Sequence, residues 1–300
     1  MAPAPGGGAA FRKLAMNSPE ATVGHAPVMQ PARLPAGRGA RWLGEGWSFF
    51  AARPLPWLGA VLLMVVITIC LHFIPLLGSL AAALIGPVFV GGLAIGCRTQ
   101  ENGGAFGVGH LFAGFSGRGS ALAMVGGIYL LLILALIAIL SAVLTLGGFS
   151  LFAAGSAPTR DAVLYAALGG LTTLALSVPL AMAYWYAPFL VALTDTRPLA
   201  AFGLSFRGCL RNVLPLFVWS LVVLCAWLAA LAVLMMLVFV PRLLSGAVAP
   251  SAPSQYGLYT AWAAALLALT VAFAPTLLAS QYVAFREIFT TGAVVAPGRR

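Results

Sequence analysis

The sequence predicts an all-α protein: a six-span transmembrane helix bundle built from three parallel repeats of an amphipathic helix plus a helical hairpin. Three observations predict it. Charged residues make up 7% of the chain and hydrophobic residues 62%, at a mean hydropathy of +1.03, whereas soluble domains are about a quarter charged. Several apolar stretches are long enough to cross a hydrocarbon core roughly 30 Å thick. The basic residues, finally, collect in alternate loops.

Residues 1–33 are rich in Ala, Gly and Pro and show no apolar periodicity, so they read as a disordered arm. Lys13, Asn17, Pro19 and Glu20 interrupt every run that could serve as a signal peptide. Met1, Met16 and Met29 each offer a translation start. Residues 34–289 are the membrane domain, and 290–300 a short tail.

From Arg38 a helical wheel gathers Arg38, Arg41, Glu45 and Ser48 on one side and Trp42, Leu43, Trp47 and Phe50 on the other. Such a helix suits the headgroup plane, or equally a cap packed on the bundle. Pro56 to Leu77 is an uncharged first span with Thr68 and His72 as its polar side chains. Pro75 to Gly78 turns the chain into a second span ending at Arg98. In the following stretch Val108, Leu111, Phe112 and Phe115 form a stripe at helical spacing, with His110 opposite as a solvated residue.

The third span is Ala121 to Gly147, and Gly148 to Asp161 is a polar turn. The fourth, Val163 to Leu193, holds 31 residues, roughly 46 Å as a straight helix. That length predicts a tilt or a kink, and Pro179 and Pro188 supply the means. Asp195-Thr196-Arg197-Pro198 is a helix start. It opens a stripe of Leu199, Phe202, Phe206, Leu210 and Val213 flanked by Arg207 and Arg211. The fifth span is Leu214 to Val240 and the sixth Leu258 to Phe285, joined by a Pro/Ser/Gly-rich loop.

Fourteen of the 16 Lys and Arg residues then lie on one side, leaving Arg160 and Arg242 on the other. The positive-inside rule puts both termini in the cytoplasm. It also accounts for the net charge of +10 without a nucleic-acid partner.

The repeat rests on two short patterns. Gly-x-(Ser/Leu)-Phe precedes each outward span at Gly46, Gly109 and Gly203. A proline precedes a terminal arginine in each returning span: Pro87 to Arg98, Pro188 to Arg197, Pro275 to Arg286. Each proline frees the carbonyl four residues back, at Ala83, Tyr184 and Val271, and each of those must find a partner away from lipid.

Little chemistry accompanies the spans. No Asp, Glu, Lys or Arg lies inside a span away from its ends, whereas ion-coupled carriers need such a residue. The six acids form no pair at catalytic spacing and Cys70, Cys97, Cys209 and Cys225 form no metal-like cluster. We therefore expect no enzyme, no cofactor, no metal and no disulfide. The candidate intramembrane pocket is Pro179, Tyr184, Trp185, Tyr186 and Pro188, where irregular backbone meets three aromatics. The same aromatics also suit an interfacial belt.

Leu34-Pro35-Ala36-Gly37-Arg38-Gly39-Ala40-Arg41-Trp42-Leu43, followed by Gly46-Trp47, Phe49-Phe50, Pro54 and Trp57, carries a resemblance. So does Ile74-Pro75-Leu76-Leu77-Gly78-Ser79 with Gly86-Pro87. Over Leu34 to Phe289 the chain resembles an uncharacterised family of small bacterial multi-pass inner-membrane proteins. More distantly it is similar to the membrane domain preceding glycerophosphodiester phosphodiesterases. The resemblance implies the fold and no activity, since the 300 residues hold no counterpart of that enzyme's catalytic domain. The expectation is a non-enzymatic accessory or scaffold protein whose amphipathic helices bind membrane lipids or a membrane protein partner. The alternative is a transporter or permease-like protein for a small apolar or lipidic solute.

Overall fold

The computed structural model describes residues 30–146, 160–194, 196–244 and 252–290. Among these the chain is helical without strands. The elements are α1 (Arg38–Ala52), α2 (Pro54–His72), α3 (Leu77–Glu101), a 3-10 helix η1 (Val108–Phe115) and α4 (Gly119–Leu146). They continue with α5 (Arg160–Trp185), α6 (Ala187–Leu193), α7 (Pro198–Arg211), α8 (Val213–Leu244) and α9 (Ala252–Phe289). Six segments are long and apolar enough to cross a membrane, the fourth formed by α5 and α6 together. The expectations for residues 1–29, for most of the turn at 148–161 and for the tail beyond 290 lie outside the described residues.

Each short helix packs against a long one that ends at the same side of the bundle: α1 on α9, η1 on α3, α7 on α5. The core is concentrated at that side, which we call the basic end. It is built from Val88 to Cys97 of α3, Tyr186 to Val191 and Ala279 to Phe289 of α9. The far halves of the spans present Leu, Ile and Val outward, as lipid-facing helices do.

Small residues set the close contacts. A Cβ added at Gly46 would lie 2.7 Å from the Thr276 carbonyl and 2.6 Å from the Ser280 nitrogen of α9. Gly114 of η1 is pressed in the same way onto the Val88 carbonyl and Gly92 nitrogen of α3, and Gly39 of α1 onto α8 at Pro215 and Trp219. Gly126 of α4 lies against the Ala83 carbonyl. That is the acceptor Pro87 frees, so a neighbouring helix backbone covers it.

The stripes read from the sequence are only partly buried. In α7 the buried side chains are Ala201, Phe202, Ser205 and Cys209, while Leu199 is 75% and Leu210 57% exposed. In η1, Leu111 is buried and Val108, Phe112 and Phe115 are exposed. The stripe argument assumes water outside. Beside a bilayer, small residues give the closest approach and large apolar ones face outward. His110, expected in solvent, instead stacks on Phe106 at a centroid distance of 5.5 Å and accepts from the Gly107 N–H at 3.0 Å.

Order also begins earlier than composition indicates. Ala32 N–H donates to the Ile288 carbonyl, and Asn212 donates to the Ala32 carbonyl and accepts from Leu34 N–H. Residues 31–33, placed in the disordered arm by composition, are thus held by long-range hydrogen bonds. The α2–α3 turn closes through a Leu77 N–H to Pro75 carbonyl bond of 2.7 Å. Leu76 sits there at φ 62° and ψ −59°, the rare γ-turn conformation.

Candidate functional site

The fourth span breaks at Tyr186, between α5 and α6. α5 continues unbroken through Pro179, which is exposed. Pro188 sits in the first turn of α6, where its missing N–H costs nothing. A residue of another helix satisfies the backbone groups at the break. Ser205 of α7 donates its hydroxyl to the Met182 carbonyl at 2.7 Å and accepts from the Tyr186 N–H at 2.9 Å. A hydroxyl thus occupies one rung of the i to i−4 ladder, a recognised cause of kinks. The break falls two residues before Pro188, one of the two prolines expected to supply it, whereas Pro179 leaves α5 unbroken.

The five candidate pocket residues are not gathered in one place. Tyr184 points to α4 and stacks on Tyr129 at 4.0 Å. Tyr186 is fully buried, edge-on to Phe189 and Phe289, and its hydroxyl meets no partner among the described residues. Trp185 alone of the five lines a groove, of about 200 Å³, together with Val178, Ala181, Met182, Cys209, Leu216, Trp219 and Ser220. The groove lies between α5 and α8 with α7 as its floor. Trp185 and Trp219 meet edge to face at 5.8 Å, and Trp219 donates its indole N–H to Ser280 at 3.1 Å. Its walls are therefore apolar, and nothing in them matches acid–base or nucleophilic catalysis.

A second concavity, of about 310 Å³, opens at the basic end and is lined by Arg98, Glu101, Thr194, Tyr282, Arg286 and Thr290 among others. Here α3, α6 and α9 all end, and the last carbonyls of α6 are met by guanidinium groups. Arg98 donates to the Leu193 carbonyl at 3.0 Å and Arg118 to that of Thr194 at 3.2 Å, the favourable arrangement at a helix C-terminus. An ion-pair network runs beside them. Arg38 bonds Glu287 through Nε at 2.9 Å and Glu45 at 2.9 Å. Arg286 pairs with Glu101 and, at 3.6 Å, with Glu45, and Tyr282 donates to Glu101. Trp42, fully buried, donates to Glu287 at 3.0 Å. The Glu287 hydrogen bond raises the Arg38 guanidinium above its ordinary value.

Sequence reasoning missed this network, because Glu45, Glu101 and Glu287 are scattered along the chain. One signal was present: Glu101 and Glu287 follow the terminal arginines of two returning spans, and Glu45 shares a helix face with Arg38. Among the described residues no group of three His, Cys, Asp or Glu is placed to hold a metal.

No family model, curated protein or solved structure matches the chain. Its chemistry must be read from these two concavities and the surfaces around them.

Proposed function

We propose that the chain is a non-enzymatic bacterial inner-membrane protein, an accessory or scaffold with both termini cytoplasmic. Its three short helices form a belt at the cytoplasmic interface that binds membrane lipid and a membrane protein partner. One observation carries this reading. Each short helix leaves large apolar side chains outside the bundle: Trp47 on α1, Val108, Phe112 and Phe115 on η1, Leu199 and Leu210 on α7. Apolar side chains beside arginines suit the boundary between headgroups and acyl chains. Behind the belt the bundle is closed by Tyr186, Phe189, Phe285 and Phe289.

The same reading takes the belt as three parallel repeats of amphipathic helix and hairpin. Its support is one contact made three times. Gly46 abuts the carbonyl of residue 276 and nitrogen of 280, and Gly114 those of 88 and 92. Ser205 bridges those of 182 and 186. The residue before each carbonyl is Pro275, Pro87 or Ala181. In this register Ala181, not Pro188, is the counterpart of the other two prolines, and Gly46, Gly114 and Ser205 are equivalent. Membership of the inner-membrane family that the sequence resembles fits this arrangement.

Reporter fusions test the topology. A cytoplasm-active reporter is expected to give signal after Arg98, Arg197 or Arg286 and none after Gly78, Thr159 or Ser254. Activity at Ser254 would overturn the six-span arrangement. Purification in mild detergent with mass spectrometry tests the function. A stoichiometric membrane protein should co-purify, and Trp47→Ala with Leu199→Ala should release it. Solute-dependent flux in proteoliposomes, without any such partner, would instead favour a permease-like protein using the broken fourth span.

A further inference from the structure

We propose that the groove between α5 and α8 holds one acyl chain of an anionic phospholipid, its phosphate at the basic end beside Arg41, Arg207 and Arg211. The inference rests on the membrane orientation above and names the lipid that the belt binds most tightly. The groove exists because its two walls meet through long side chains, Trp185 on Trp219, and not through close backbone packing. α5 packs closely against α4 and α7, whereas α8 packs along α1 and meets α7 at its start. Contact between α8 and α9 is carried by long aromatic side chains, Trp219 to Ser280 and Trp227 to Phe273 at 6.0 Å. A lateral opening therefore faces the bilayer at the level of Val178 to Trp185 and Leu216 to Ser220.

Size and chemistry select the occupant. Pockets for compact drug-sized ligands run from about 300 to 1,000 Å³. A groove of about 200 Å³ suits a slender chain better than a ring-bearing solute. Its lining offers two indole faces, four aliphatic or thioether side chains and two small polar groups, Cys209 and Ser220. A chain moving from bilayer to groove gains packing but no hydrophobic transfer energy, because lipid tails are as apolar as leucine. Selection must therefore come from the headgroup. The elements at the rim are α7 and the start of α1, which touches Trp219 through Gly39. α7 carries Arg207 and Arg211 and no acid, and both arginines are exposed, Arg211 while donating one N–H to the Pro31 carbonyl at 2.9 Å. Arg41 on α1 is exposed as well, and the lone acid of that helix, Glu45, is already paired with Arg38 and Arg286. Clusters of arginine on the cytoplasmic side of membrane helices are suited to anionic headgroups.

The test uses the full chain in mild detergent, stripped of lipid and offered equal amounts of phosphatidylglycerol and phosphatidylcholine, with bound lipid counted by native mass spectrometry. The wild type should retain one phosphatidylglycerol per chain, at least fivefold over phosphatidylcholine. Ala181→Phe fills the groove from α5 and Ser220→Phe fills it from α8. Either should lower retention at least fivefold, whereas Ala138→Phe on the lipid face of α4 should leave it unchanged. Arg41→Gln with Arg207→Gln should bring phosphatidylglycerol down to the phosphatidylcholine level. Equal retention of the two lipids by the wild type would overturn the proposal. So would full retention in both groove-filling variants. Partner co-purification is a separate readout, so the scaffold reading can fail while this one stands, and the reverse.

Discussion

Replacing Ser205 by alanine is expected to destabilise the protein by roughly 2 to 4 kcal/mol, since a buried polar group left without a partner costs about 1–3 kcal/mol and two are affected. They are the Met182 carbonyl and the Tyr186 N–H, both satisfied by the same hydroxyl. The helix could close its own rung only by straightening at Tyr186. That movement would drag Tyr186, Phe189 and Leu190 out of the packed core. Thermal or denaturant unfolding in mild detergent measures the effect. Ser205→Thr keeps the hydroxyl and should stay close to wild type. If Ser205→Ala unfolds with the wild-type midpoint, the bend is not made by the hydroxyl.

A comparably large loss is expected from Gly46→Ala. Replacing glycine by alanine within a helix should add about 1 kcal/mol of helix stability. Gly44→Ala, with nothing within 4 Å of the new methyl, should show that gain. At Gly46 the methyl would lie 2.6–2.7 Å from backbone atoms of α9, which cannot rotate away. Overpacking of this kind costs about 1–3 kcal/mol or more, so the sign reverses. Separating α1 from α9 also strains the Trp42–Glu287 bond and the pairs of Arg38 and Arg286. Opposite shifts in midpoint for the two alanines, two residues apart, are the expected signature. Parallel shifts would mean that α1 is not clamped to α9.

The six spans could be read because a bilayer demands about 20 apolar residues in a row, and Leu55 to Arg98 or Leu214 to Val240 leaves no other reading. The direction each short helix faces could not be read by the same logic. Leu199 and Leu210 look like core residues to any stripe argument, yet Ser205 and Cys209 are the ones that go inside. The kink of the fourth span was expected from its length and its prolines, and it falls two residues before Pro188; the hydroxyl that bridges it could not be read, because Ser205 lies 19 positions away. The candidate pocket failed for a geometric reason. Tyr184, Trp185 and Tyr186 are neighbours in sequence but about 100° apart around a helix, so they reach α4, the groove and the core respectively.

The clamp of α1 on α9 has a consequence for the order of events at the ribosome. Trp42 and Glu287 are separated by 245 residues, and synthesis at about 5–20 residues per second puts roughly 12 to 50 s between them. Throughout that interval the Gly46 side of α1 has no α9 to rest on. Among the described helices, the last to be made is therefore the one that completes the first. A nascent chain halted anywhere before α9 would present an open edge, and such an edge offers the cell's membrane proteases a ready mark of incompleteness.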